Sequence, residues 1–542
     1  MASTLIVCRF SLLDIPPGLR RKQPCKLNSS DNPTPSIGLS MPAYDNLQLC
    51  YGDIHNHCGI SYGHGSLTDA LANAKQRLDF VSITGHAHWP DIPDDLSQVT
   101  VDYHLNGFQR LQNVWSQMME TLKTENAEGR FVIFPAFEVH FTATGDRNIL
   151  YKDLGGEILY PTSLEDLHQR LSELRERGID TLAQPHHIGY RQGTRGIDWE
   201  SHDPEFAPCV ELISMHGCSE TNEGTRPFLH VMGPSDWQST IQYGLQQGHI
   251  FGVTGGTDHH SGHPGSYGHG MTGLWTTACT RDAIWDALYS RRSYALTGDR
   301  IGLQFSINDA PMGSIIANSE TANIAVDVNG GSCIDCVDII KNNQLLRRFS
   351  QYEFDIPAVT DHVRTKLHLE LGWGLREVES TWHVEFGVRE GQVIDVEPRF
   401  RGRQVVSPLD EESDAGTHTA WVAASNDQSV NFVATGYGNP NNYTPNMQGV
   451  CLEVAAPRTA TVYANVNGTT YQWSLQELLQ GARSASLGTL ETPSLRIHRA
   501  AEPHELNWSC SLTDAAHTGD AYYVRVRQSN DQWAWSSPIF VR

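Results

Sequence analysis

Long apolar runs are absent from this sequence of 542 residues. No stretch approaches the roughly 18 to 20 consecutive apolar residues that a membrane-spanning helix requires. The segment from Met1 to Leu13 is only mildly apolar, contains Arg9 and is not followed by a small-residue cleavage site, so it does not resemble a secretion signal. We therefore expect a cytoplasmic protein that has no membrane partner.

Positive charge is also scarce. The chain has 39 Lys and Arg residues against 62 Asp and Glu residues, which gives a formal net charge of −23. Such a balance disfavours general electrostatic binding of nucleic acids or anionic membranes. We therefore expect no nucleic-acid partner.

The sequence also lacks a disulfide framework and a motif for a covalent nucleophile. The 11 cysteines are odd in number and scattered, which is typical of reduced thiols in a cytosolic protein. Cys333 and Cys336 form an isolated C-x-x-C, and without a second pair or a helix start it predicts two ordinary strand or turn cysteines. No G-x-S-x-G sequence occupies a strand-to-helix elbow, so a serine nucleophile is not indicated.

Histidine, in contrast, is abundant and unevenly distributed. Of the 25 histidines, 18 lie between His55 and His269, which is about one residue in twelve over that stretch. Chemistry carried by imidazole groups is therefore expected in the first half of the chain.

Three regions differ in their residue patterns. Residues 1–48 are rich in Pro, Ser and Asn, which predicts a flexible N-terminal segment. Residues 49–300 alternate short apolar runs with amphipathic helices, which is typical of parallel strands joined by helical crossovers. Residues 301–542 contain alternating segments that predict a mostly β, sandwich-like domain with one helix at 475–485.

Local signals within these regions predict individual elements. Capping patterns predict a helix over Asp69–Leu78 and another over Leu164–Arg177. The first of these patterns is Ser66-Leu-Thr-Asp69 and the second is Thr162-Ser-Leu-Glu165. Strands are predicted at 51–55, 79–84, 131–138, 180–185, 209–215 and 250–255. Five tryptophans of the second half are expected in the core of the β domain, namely Trp373, Trp382, Trp421, Trp473 and Trp533.

Most of the six predicted strands of the first half end in a histidine or a carboxylate. Because the carboxyl ends of the strands of α/β barrels meet on one face, we expect these end residues to converge. Residues two apart in an extended chain point to the same side, so His55 and His57 can chelate one ion. The strand-end residues are His55 and His57, His86, Glu138 and His140, His186 and His187, Glu211 and His216, and Asp258 and His260.

This set of residues predicts a metal centre. Mixed imidazole and carboxylate ligands suit zinc, manganese or iron, and a shared carboxylate permits a multinuclear site. At least eight candidate ligands exceed what one tetrahedral ion uses, so we expect two or three divalent metal ions. Such a centre lowers the pKa of a bound water and clamps substrate oxygens, as hydrolysis of a phosphate ester requires.

The series of strand-end motifs over residues 50–300 resembles the polymerase and histidinol phosphatase (PHP) superfamily. The resemblance implies a distorted seven-stranded (β/α) barrel with a trinuclear metal site, and metal-dependent hydrolase chemistry without a settled substrate. Other stretches resemble a bacterial branch classed as a domain of unknown function: Gly-Asp-Arg147-Asn148, Gln-Pro-His-His-Ile-Gly-Tyr-Arg191, Ser214-Met-His-Gly-Cys-Ser-Glu220, Tyr294-Ala-Leu-Thr-Gly-Asp-Arg300-Ile and the final Trp-Ala-Trp-Ser-Ser-Pro.

The resemblance also implies which residues bind metal. Gly85 stands where most members have Asp, and His64 lies where they have a Ser-Asp-Gly sequence. A carboxylate on the third metal is thus missing, and either His64 replaces it or the third site is weak or empty. The matched ligands are His55, His57, His86, Glu138 as the bridging carboxylate, His186 or His187, Asp258 and His260, with His216 in the place of a further ligand.

Three arginines lie in loops next to these segments. Arg147, Arg191 and Arg195 either bind a phosphate or carboxylate group through paired hydrogen bonds or pair with nearby acidic side chains.

Other polar residues flank the predicted ligands. Asp53, two residues before the first histidine of H-x-H, is expected to orient an imidazole from outside the ligand set. His259, His263 and His269 belong to a Gly-rich stretch and are expected at a loop or entrance.

The favoured hypothesis is a multinuclear metal-dependent hydrolase. It is a phosphoesterase that acts through metal-bound hydroxide on a small anionic phosphomonoester or phosphodiester. Glu138 and His260 are its expected catalytic residues, and Arg195 or Arg147 holds the non-reacting oxygens.

Two alternatives stay open. One is a metal-dependent ester, lactone or amide hydrolase, which the missing Asp at Gly85 favours. The other is a non-catalytic binding protein with a structural metal site. The β-rich half either covers the barrel mouth, completes the substrate pocket or forms a homo-oligomer.

Overall fold

The computed structural model describes residues 41–354, 356–376, 378–403 and 420–542. Most of the predicted N-terminal segment 1–48 lies outside these residues. Its described end contains a short 3₁₀ helix, Pro42–Tyr44, and the Tyr44 hydroxyl donates to the carbonyl oxygen of Phe305 over 2.7 Å. This end of the segment is therefore anchored to the second half of the chain.

The first half alternates strands with helices, as predicted. The predicted strands at 79–84 and 131–138 are each interrupted, and the others are found with shifted ends. The helices are α1 (Leu67–Arg77), α2 (Gln98–Glu125), α3 (Leu164–Glu176), α4 (Ile241–Gln246) and α5 (Arg281–Tyr289), with 3₁₀ turns at Trp199–Ser201 and Trp237–Ser239. The strands are β1 (Gln48–Asp53), β2 (Phe80–Val81), β3 (Thr84–His88), β4 (Val132–Ile133), β5 (Ala136–Val139), β6 (Arg147–Tyr151), β7 (Thr181–Pro185), β8 (Cys209–Ser214), β9 (Gly217–Cys218), β10 (Gly252–Gly255), β11 (Met271–Thr276) and β12 (Ser293–Leu296).

Side-chain caps begin the two predicted helices. The Ser66 hydroxyl accepts the backbone N–H of Asp69 at the start of α1. At α3 the cap is Ser163, one residue later than the predicted Thr162, and its hydroxyl accepts the N–H of Asp166. The helix itself begins at Leu164, as predicted.

Helix α2 was not predicted, although it is the longest helix of the described residues, with 28 residues. It packs an apolar face against the first half, and at Gly107 it approaches Tyr62 so closely that a Cβ atom would lie 2.5 Å from the ring. Among the described residues, none of the helices is both long and apolar enough to cross a membrane. The cytoplasmic location stays a prediction.

The strands of the first half pair in separate sheets. Strands β1, β2 and β4 are parallel neighbours, as are β3 with β5 and β8 with β10. Antiparallel pairs join β5 to β6, β6 to β7, β1 to β11 and β11 to β12. The fold is thus mixed α/β, and the pairing of the described strands does not establish a closed seven-stranded barrel.

The second half is mostly β, as predicted. Among its described residues the helices are α6 (Leu475–Gln480), which is shorter than the predicted 475–485, and α7 (Pro503–Leu506), with a 3₁₀ turn at Gln351–Glu353. Its strands are β13 (Gly302–Ile307), β14 (Ala310–Pro311), β15 (Ile315–Ile316), β16 (Thr321–Asn329), β17 (Ile334–Lys341), β18 (Gln344–Ser350), β19 (His362–Trp373), β20 (Glu379–Val388), β21 (Gln392–Arg399), β22 (Ala420–Ser425), β23 (Ser429–Tyr437), β24 (Gln448–Pro457), β25 (Thr461–Val466), β26 (Thr469–Ser474), β27 (Arg483–Ser486), β28 (Pro493–Ile497), β29 (Asn507–Ala515), β30 (Ala521–Gln528), β31 (Trp533–Ser536) and β32 (Ile539–Val541).

Two five-stranded antiparallel sheets of this half share one apolar core. The first sheet has the order β21-β24-β19-β28-β27 and the second β22-β23-β20-β25-β26. Trp382 is fully buried in this core, as expected, and Trp473 packs against it. Trp421 is 45% exposed, because β22 is an edge strand and this residue points away from the core. The tryptophan prediction is therefore wrong at Trp421.

The two cysteines of the C-x-x-C motif also lie in this half. Cys336 is part of β17 and Cys333 precedes this strand, and neither thiol forms a disulfide. They are strand and turn cysteines, as predicted.

The last strands return to the first half of the chain. Strand β31 pairs with β12, so that Ala295 lies opposite Trp535, and β17, β30 and β32 extend the same sheet. A division of the chain at residue 300 therefore cuts through a continuous sheet. The domain boundary at residue 300 therefore stays a prediction, and it does not coincide with the edge of a sheet.

A buried ionic cluster lies where the two halves meet. The Arg399 guanidinium donates to Glu397 over 2.8 Å and lies 3.0 Å from an oxygen of Asp299. Arg77 of α1 lies 3.5 Å from the other oxygen of Glu397. Burial raises the pKa of Glu397, but the neighbouring arginines outweigh it and lower this pKa from 4.5 to about 2.

We expect Glu397→Gln to destabilise the protein by roughly 3 to 5 kcal/mol at pH 7, because it leaves buried guanidinium groups without their carboxylate. Since the pKa of Glu397 is depressed in the folded state, its stabilisation is present above about pH 4.5 and is lost as the pH falls toward 2. Urea unfolding of both proteins between pH 3 and 7 checks this. The difference in unfolding free energy should shrink with falling pH.

Glu453→Gln provides the control, because Glu453 forms its ion pair with an exposed arginine, Arg364. This substitution should change the unfolding free energy by less than about 1 kcal/mol. An equal effect of the two substitutions would contradict the assignment.

Candidate metal centre

The strand ends of the first half converge on one buried cluster. It contains eight imidazole groups and four carboxylates, and each of these residues is less than one-tenth exposed. All of them except Asp146 belong to the segments of the six predicted strands. The cluster comprises His55, His57, His86, His140, His186, His187, His216, His260, Glu138, Asp146, Glu211 and Asp258.

Glu138 of β5 lies at the centre of this cluster. Its two oxygens face five imidazole nitrogens, four from three other segments and one from His140 of its own segment, which suits the bridging role expected of it. The distances from its Oε2 are 3.3 Å to His57 Nε2 and 3.7 Å to His55 Nε2 and His86 Nε2, and those from its Oε1 are 3.1 Å to His140 Nδ1 and 3.5 Å to His186 Nε2.

Asp258 forms a second centre. Its Oδ1 lies 3.0 Å from His57 Nε2 and 3.3 Å from His55 Nε2, and its Oδ2 lies 2.9 Å from His216 Nε2. The backbone of Asp258 has a φ of 51°, in the left-handed region that few non-glycine residues adopt. The sharp turn after β10 thereby directs the carboxylate into the cluster.

Two further carboxylates were absent from the predicted ligand set. Asp146, in the turn before β6, lies 3.4 Å from His187 Nε2 and 3.0 Å from His140 Nδ1. Glu211 accepts the His187 backbone N–H over 3.0 Å and lies 2.7 Å from His55 Nδ1. Glu211 lies within the predicted strand 209–215, so its position could have been found, whereas Asp146 carries no such signal.

Several imidazole rings are also held through the ring nitrogen that points away from the centre of the cluster. This is the arrangement that fixes the tautomer of metal-binding histidines. The outer contacts are His55 Nδ1 with Glu211 (2.7 Å), His86 Nδ1 with the Ser61 hydroxyl (3.1 Å), His140 Nε2 with the Tyr62 hydroxyl (2.9 Å), His216 Nδ1 with the Tyr190 hydroxyl (2.6 Å) and His260 Nδ1 with the Asp258 carbonyl (2.8 Å).

The inward-facing atoms, in contrast, are not all satisfied. Within the described part of the chain, His55 Nε2, Glu138 Oε2 and both ring nitrogens of His186 have no hydrogen-bond partner, although they are fully buried. Unpaired buried polar atoms are costly, so this arrangement requires a ligand. Nitrogen and oxygen donors that face one another at 3 to 4 Å fit divalent metal ions.

The protonation states of most of these groups also suit metal binding, although at His55 the carboxylates of Asp258 and Glu211 outweigh burial and raise the pKa well above its usual range. Burial lowers the pKa values of His86, His186 and His260 well below the usual range, so these rings are neutral. Burial raises the pKa values of Glu138 and Asp258, but adjacent imidazole groups outweigh it and hold both well below the usual range. Neutral imidazoles and ionised carboxylates are the forms that coordinate metals.

The cluster has room for more than one ion. Groups of three or four donor atoms that lie within 4.8 Å of one another recur in it. Two of these groups share no residue, and each of the two could hold a metal ion. They are His57, His86 and His260, and Glu138, Asp146, His186 and His187.

The remaining predicted ligand, His64, lies beside this cluster. Its backbone N–H donates to the carbonyl oxygen of His260 over 2.7 Å. Its role as a replacement ligand stays a prediction.

Gly85 does not face the cluster. A Cβ atom at this position would lie 2.8 Å from Leu111 Cδ1 and 3.2 Å from Ile60 Cδ1, because strand alternation turns His86 inward and its neighbour outward. An aspartate here would thus point into apolar packing. The expectation that Gly85 removes a metal ligand is not supported by this geometry, and Asp146 supplies a carboxylate instead.

The three predicted arginines differ in their surroundings. Arg195 pairs with Asp146, contacts His140 Nδ1 and lies over the Trp89 ring at 5.4 Å. Arg147 is buried and donates to the carbonyl oxygens of three preceding residues, 144 to 146, so it holds the turn that carries Asp146. Arg191 is exposed. Of the three, Arg195 alone has described contacts to the ring nitrogens and carboxylate groups of the cluster.

Asp53 does not orient an imidazole ring, contrary to the prediction. Its carboxylate accepts the backbone N–H of His55 over 3.1 Å, the N–H of Gly265 over 2.9 Å and the Thr257 hydroxyl over 2.6 Å. It therefore ties β1 to the segment that carries Asp258. The expected role falls to Glu211.

The histidines of the Gly-rich stretch lie together, as a loop group. The ring centroids of His259 and His263 are 6.2 Å apart, and those of His259 and His269 are 5.3 Å apart. A Cβ atom on Gly402 of the second half would lie 2.4 Å from His259. The group thus lies against the β-rich half, and its expected place at an entrance stays a prediction.

Comparisons with known proteins find one family and several relatives that resemble parts of this chain. A family described as a protein of unknown function (DUF3604) matches residues 258–327, a stretch that begins at Asp258 and includes His260. An uncharacterised protein of Chlamydia pneumoniae is 28% identical over 286 residues, which is 47% of this chain and 45% of that protein. An uncharacterised protein of Chlamydia trachomatis is 30% identical over 183 residues, which is 30% of each chain. The chain thus spans less than half the length of these curated relatives.

One solved structure is also similar. It is a two-domain protein from Bacteroides vulgatus, described as containing a predicted PHP-like metal-dependent phosphoesterase. The match covers 82% of this chain and 100% of that chain at 14% identity, with a TM-score of 0.29. This TM-score is too low to establish a common fold.

We expect the double variant His55→Ala, His57→Ala to lose at least one bound metal ion per chain, since both Nε2 atoms face the two central carboxylates. Metal content after dialysis, measured by elemental analysis, checks this. His88→Ala is the matched control, because His88 ends β3 and its ring contacts the Pro161 carbonyl outside the cluster. Equal metal content in the wild type and the double variant would contradict the assignment.

Proposed function

We propose that this chain is a multinuclear metal-dependent hydrolase that acts on a small phosphate monoester or diester. The observation that carries the proposal is a set of buried imidazole nitrogens and carboxylate oxygens that face one another, of which His55 Nε2, Glu138 Oε2 and the His186 nitrogens have no hydrogen-bond partner among the described residues. Ligand sets of this composition support catalytic zinc, manganese or iron rather than closed structural sites, which are mostly built from cysteine.

Divalent ions bound there would activate a water molecule and neutralise charge that develops on the substrate. The protein's part is to hold the ligands. Glu138 and Asp258, each surrounded by imidazoles from several segments, are placed to be shared between ions. Outer contacts such as that of Glu211 with His55 keep the coordinating nitrogens directed inward.

The charge of the cluster favours an anionic substrate once metals are present. Four buried carboxylates and the Arg195 guanidinium leave an excess of three negative charges. Two divalent ions reverse that sign, and three make the site strongly positive. An acidic protein can in this way bind a small anion at its centre.

Arg195 is the residue best placed to bind the non-reacting oxygens. Asp146 and the Trp89 ring hold its guanidinium at the edge of the cluster, and its side chain is 16% exposed. A guanidinium offers paired donors that match phosphate oxygens. Arg147, which donates to backbone carbonyls, supports this site through the turn at Asp146.

The alternative of a carboxyl ester, lactone or amide hydrolase has lost its main support. It depended on a carboxylate missing at Gly85, and that position faces Leu111 and Ile60. Several ions that share carboxylates suit the clamping of two phosphate oxygens. A phosphate ester is therefore the favoured substrate class.

We expect protein stripped with a chelator and reloaded with zinc or manganese to hydrolyse p-nitrophenyl phosphate or bis-p-nitrophenyl phosphate. Turnover of p-nitrophenyl acetate should be at least tenfold lower in kcat/KM. Release of p-nitrophenol before and after reloading measures both. Acetate turnover without phosphate ester turnover would favour the carboxyl ester alternative, and metal binding without any turnover would favour a binding protein.

In the same assay, Arg195→Ala should lower kcat/KM about 100-fold while the metal content is retained, because a preorganised charge near the reacting group is lost. Arg195→Lys should recover part of the activity. Arg110→Ala, which changes an exposed arginine of α2, is the control and should leave kcat/KM unchanged.

A further inference from the structure

The segment Phe228–Met232, which follows β9, lies along one side of the metal cluster. Phe228 anchors it, since its buried ring packs edge-on against Tyr190 at a centroid distance of 4.6 Å. Leu229 is 86% exposed and Val231 is 90% exposed, so these two side chains point to solvent. His230 and Met232 alternate with them. His230 contacts His216 of the cluster, and Met232 contacts Arg195.

His230 lies directly against a predicted metal ligand. Its ring centroid is 4.9 Å from that of His216, at an interplanar angle of 64°. His216 in turn lies 2.9 Å from Asp258 through its Nε2. His230 is therefore next to the centre without being one of the strand-end residues.

The backbone fixes the tautomer of His230. Its Nδ1 accepts the N–H of Met232 over 3.3 Å, so in the neutral ring the proton is on Nε2. Within the described residues, no hydrogen bond is made by this Nε2–H group. This Nε2–H group is a hydrogen-bond donor beside a cluster that otherwise consists of acceptors and metal ligands.

Met232 connects the same segment to Arg195. The Nη1 group of Arg195 donates to the Met232 sulfur over 3.0 Å. Arg195 is also held by Asp146 on its other side. The segment thus contacts both the guanidinium proposed to bind substrate oxygens and a histidine of the centre.

We propose that Phe228–Met232 is a substrate-recognition segment in which His230 donates a hydrogen bond from Nε2 to an anionic oxygen of the substrate. This proposal rests on the proposed function, and it adds a second donor to that of Arg195. The recognised group is an oxyanion with at least two free oxygens, such as a phosphoryl group, since two donors are supplied by one segment and its neighbour.

The test measures binding of inorganic phosphate to the metal-loaded protein by isothermal titration calorimetry, together with metal content. His230→Ala should weaken phosphate binding roughly tenfold and raise KM for p-nitrophenyl phosphate more than it lowers kcat. His230→Gln, which keeps an N–H donor, should recover part of the affinity. His249→Ala is the control, because His249 is also half-buried against an aromatic ring, that of Trp199.

Unchanged phosphate affinity in His230→Ala with full metal content would overturn this proposal and leave the proposed function intact. Loss of metal in His230→Ala would overturn it as well, since His230 would then be a ligand. If the wild type binds metal but neither binds phosphate nor hydrolyses phosphate esters, both the proposed function and the recognition segment are wrong.

Discussion

The structure depends on one electrostatic constraint, which is the burial of four carboxylates against imidazole nitrogens that they do not fully satisfy. Glu138 and Asp258 occupy the centre, and their oxygens lie about 3 to 4 Å from ring nitrogens of separate segments. Outer hydrogen bonds direct these nitrogens inward, and within the described residues His55 Nε2 and Glu138 Oε2 are left without a hydrogen-bond partner. Divalent ions at the centre would supply the missing charge and the missing partners together.

The second half of the chain contributes to this site from a distance. The Tyr267 N–H donates to the Phe400 carbonyl over 2.9 Å, and the Gly402 N–H donates to the Ser266 hydroxyl over 3.0 Å. These contacts hold the Gly-rich loop that follows His260. Together with the buried pairs around Glu397, they make the β-rich half a support for the turn that carries Asp258. These contacts therefore favour a role for the β-rich half as a cover over the Gly-rich loop.

Much of the site could be predicted because its residues follow a regular signal. A histidine or carboxylate at the end of a short apolar run is visible in sequence, and His55, His86 and Asp258 were found in this way. Asp146 was missed because it lies in a turn between antiparallel strands, where no periodicity marks a direction. Gly85 was misinterpreted because a family pattern does not show which side of a strand a residue faces.

The fold was predictable to a similar extent. The strand and helix types follow from apolar runs and caps such as Ser66, but the pairing of strands does not. The return of β31 to β12 depends on contacts between residues more than 200 positions apart, which local patterns do not encode. Helix α2 was missed although its apolar residues are spaced for one face, because Thr100 stands where the two predicted capping patterns have an acidic residue.

The most direct test of the central claim is anomalous diffraction from crystals of the metal-loaded protein, with data collected on both sides of the absorption edge of the added metal. The account predicts two or three peaks inside the cluster, each about 2.0 to 2.3 Å from inward-facing nitrogens and carboxylate oxygens such as His55 Nε2 and Glu138 Oε2. A cluster without a peak, or peaks confined to other parts of the protein, would contradict it.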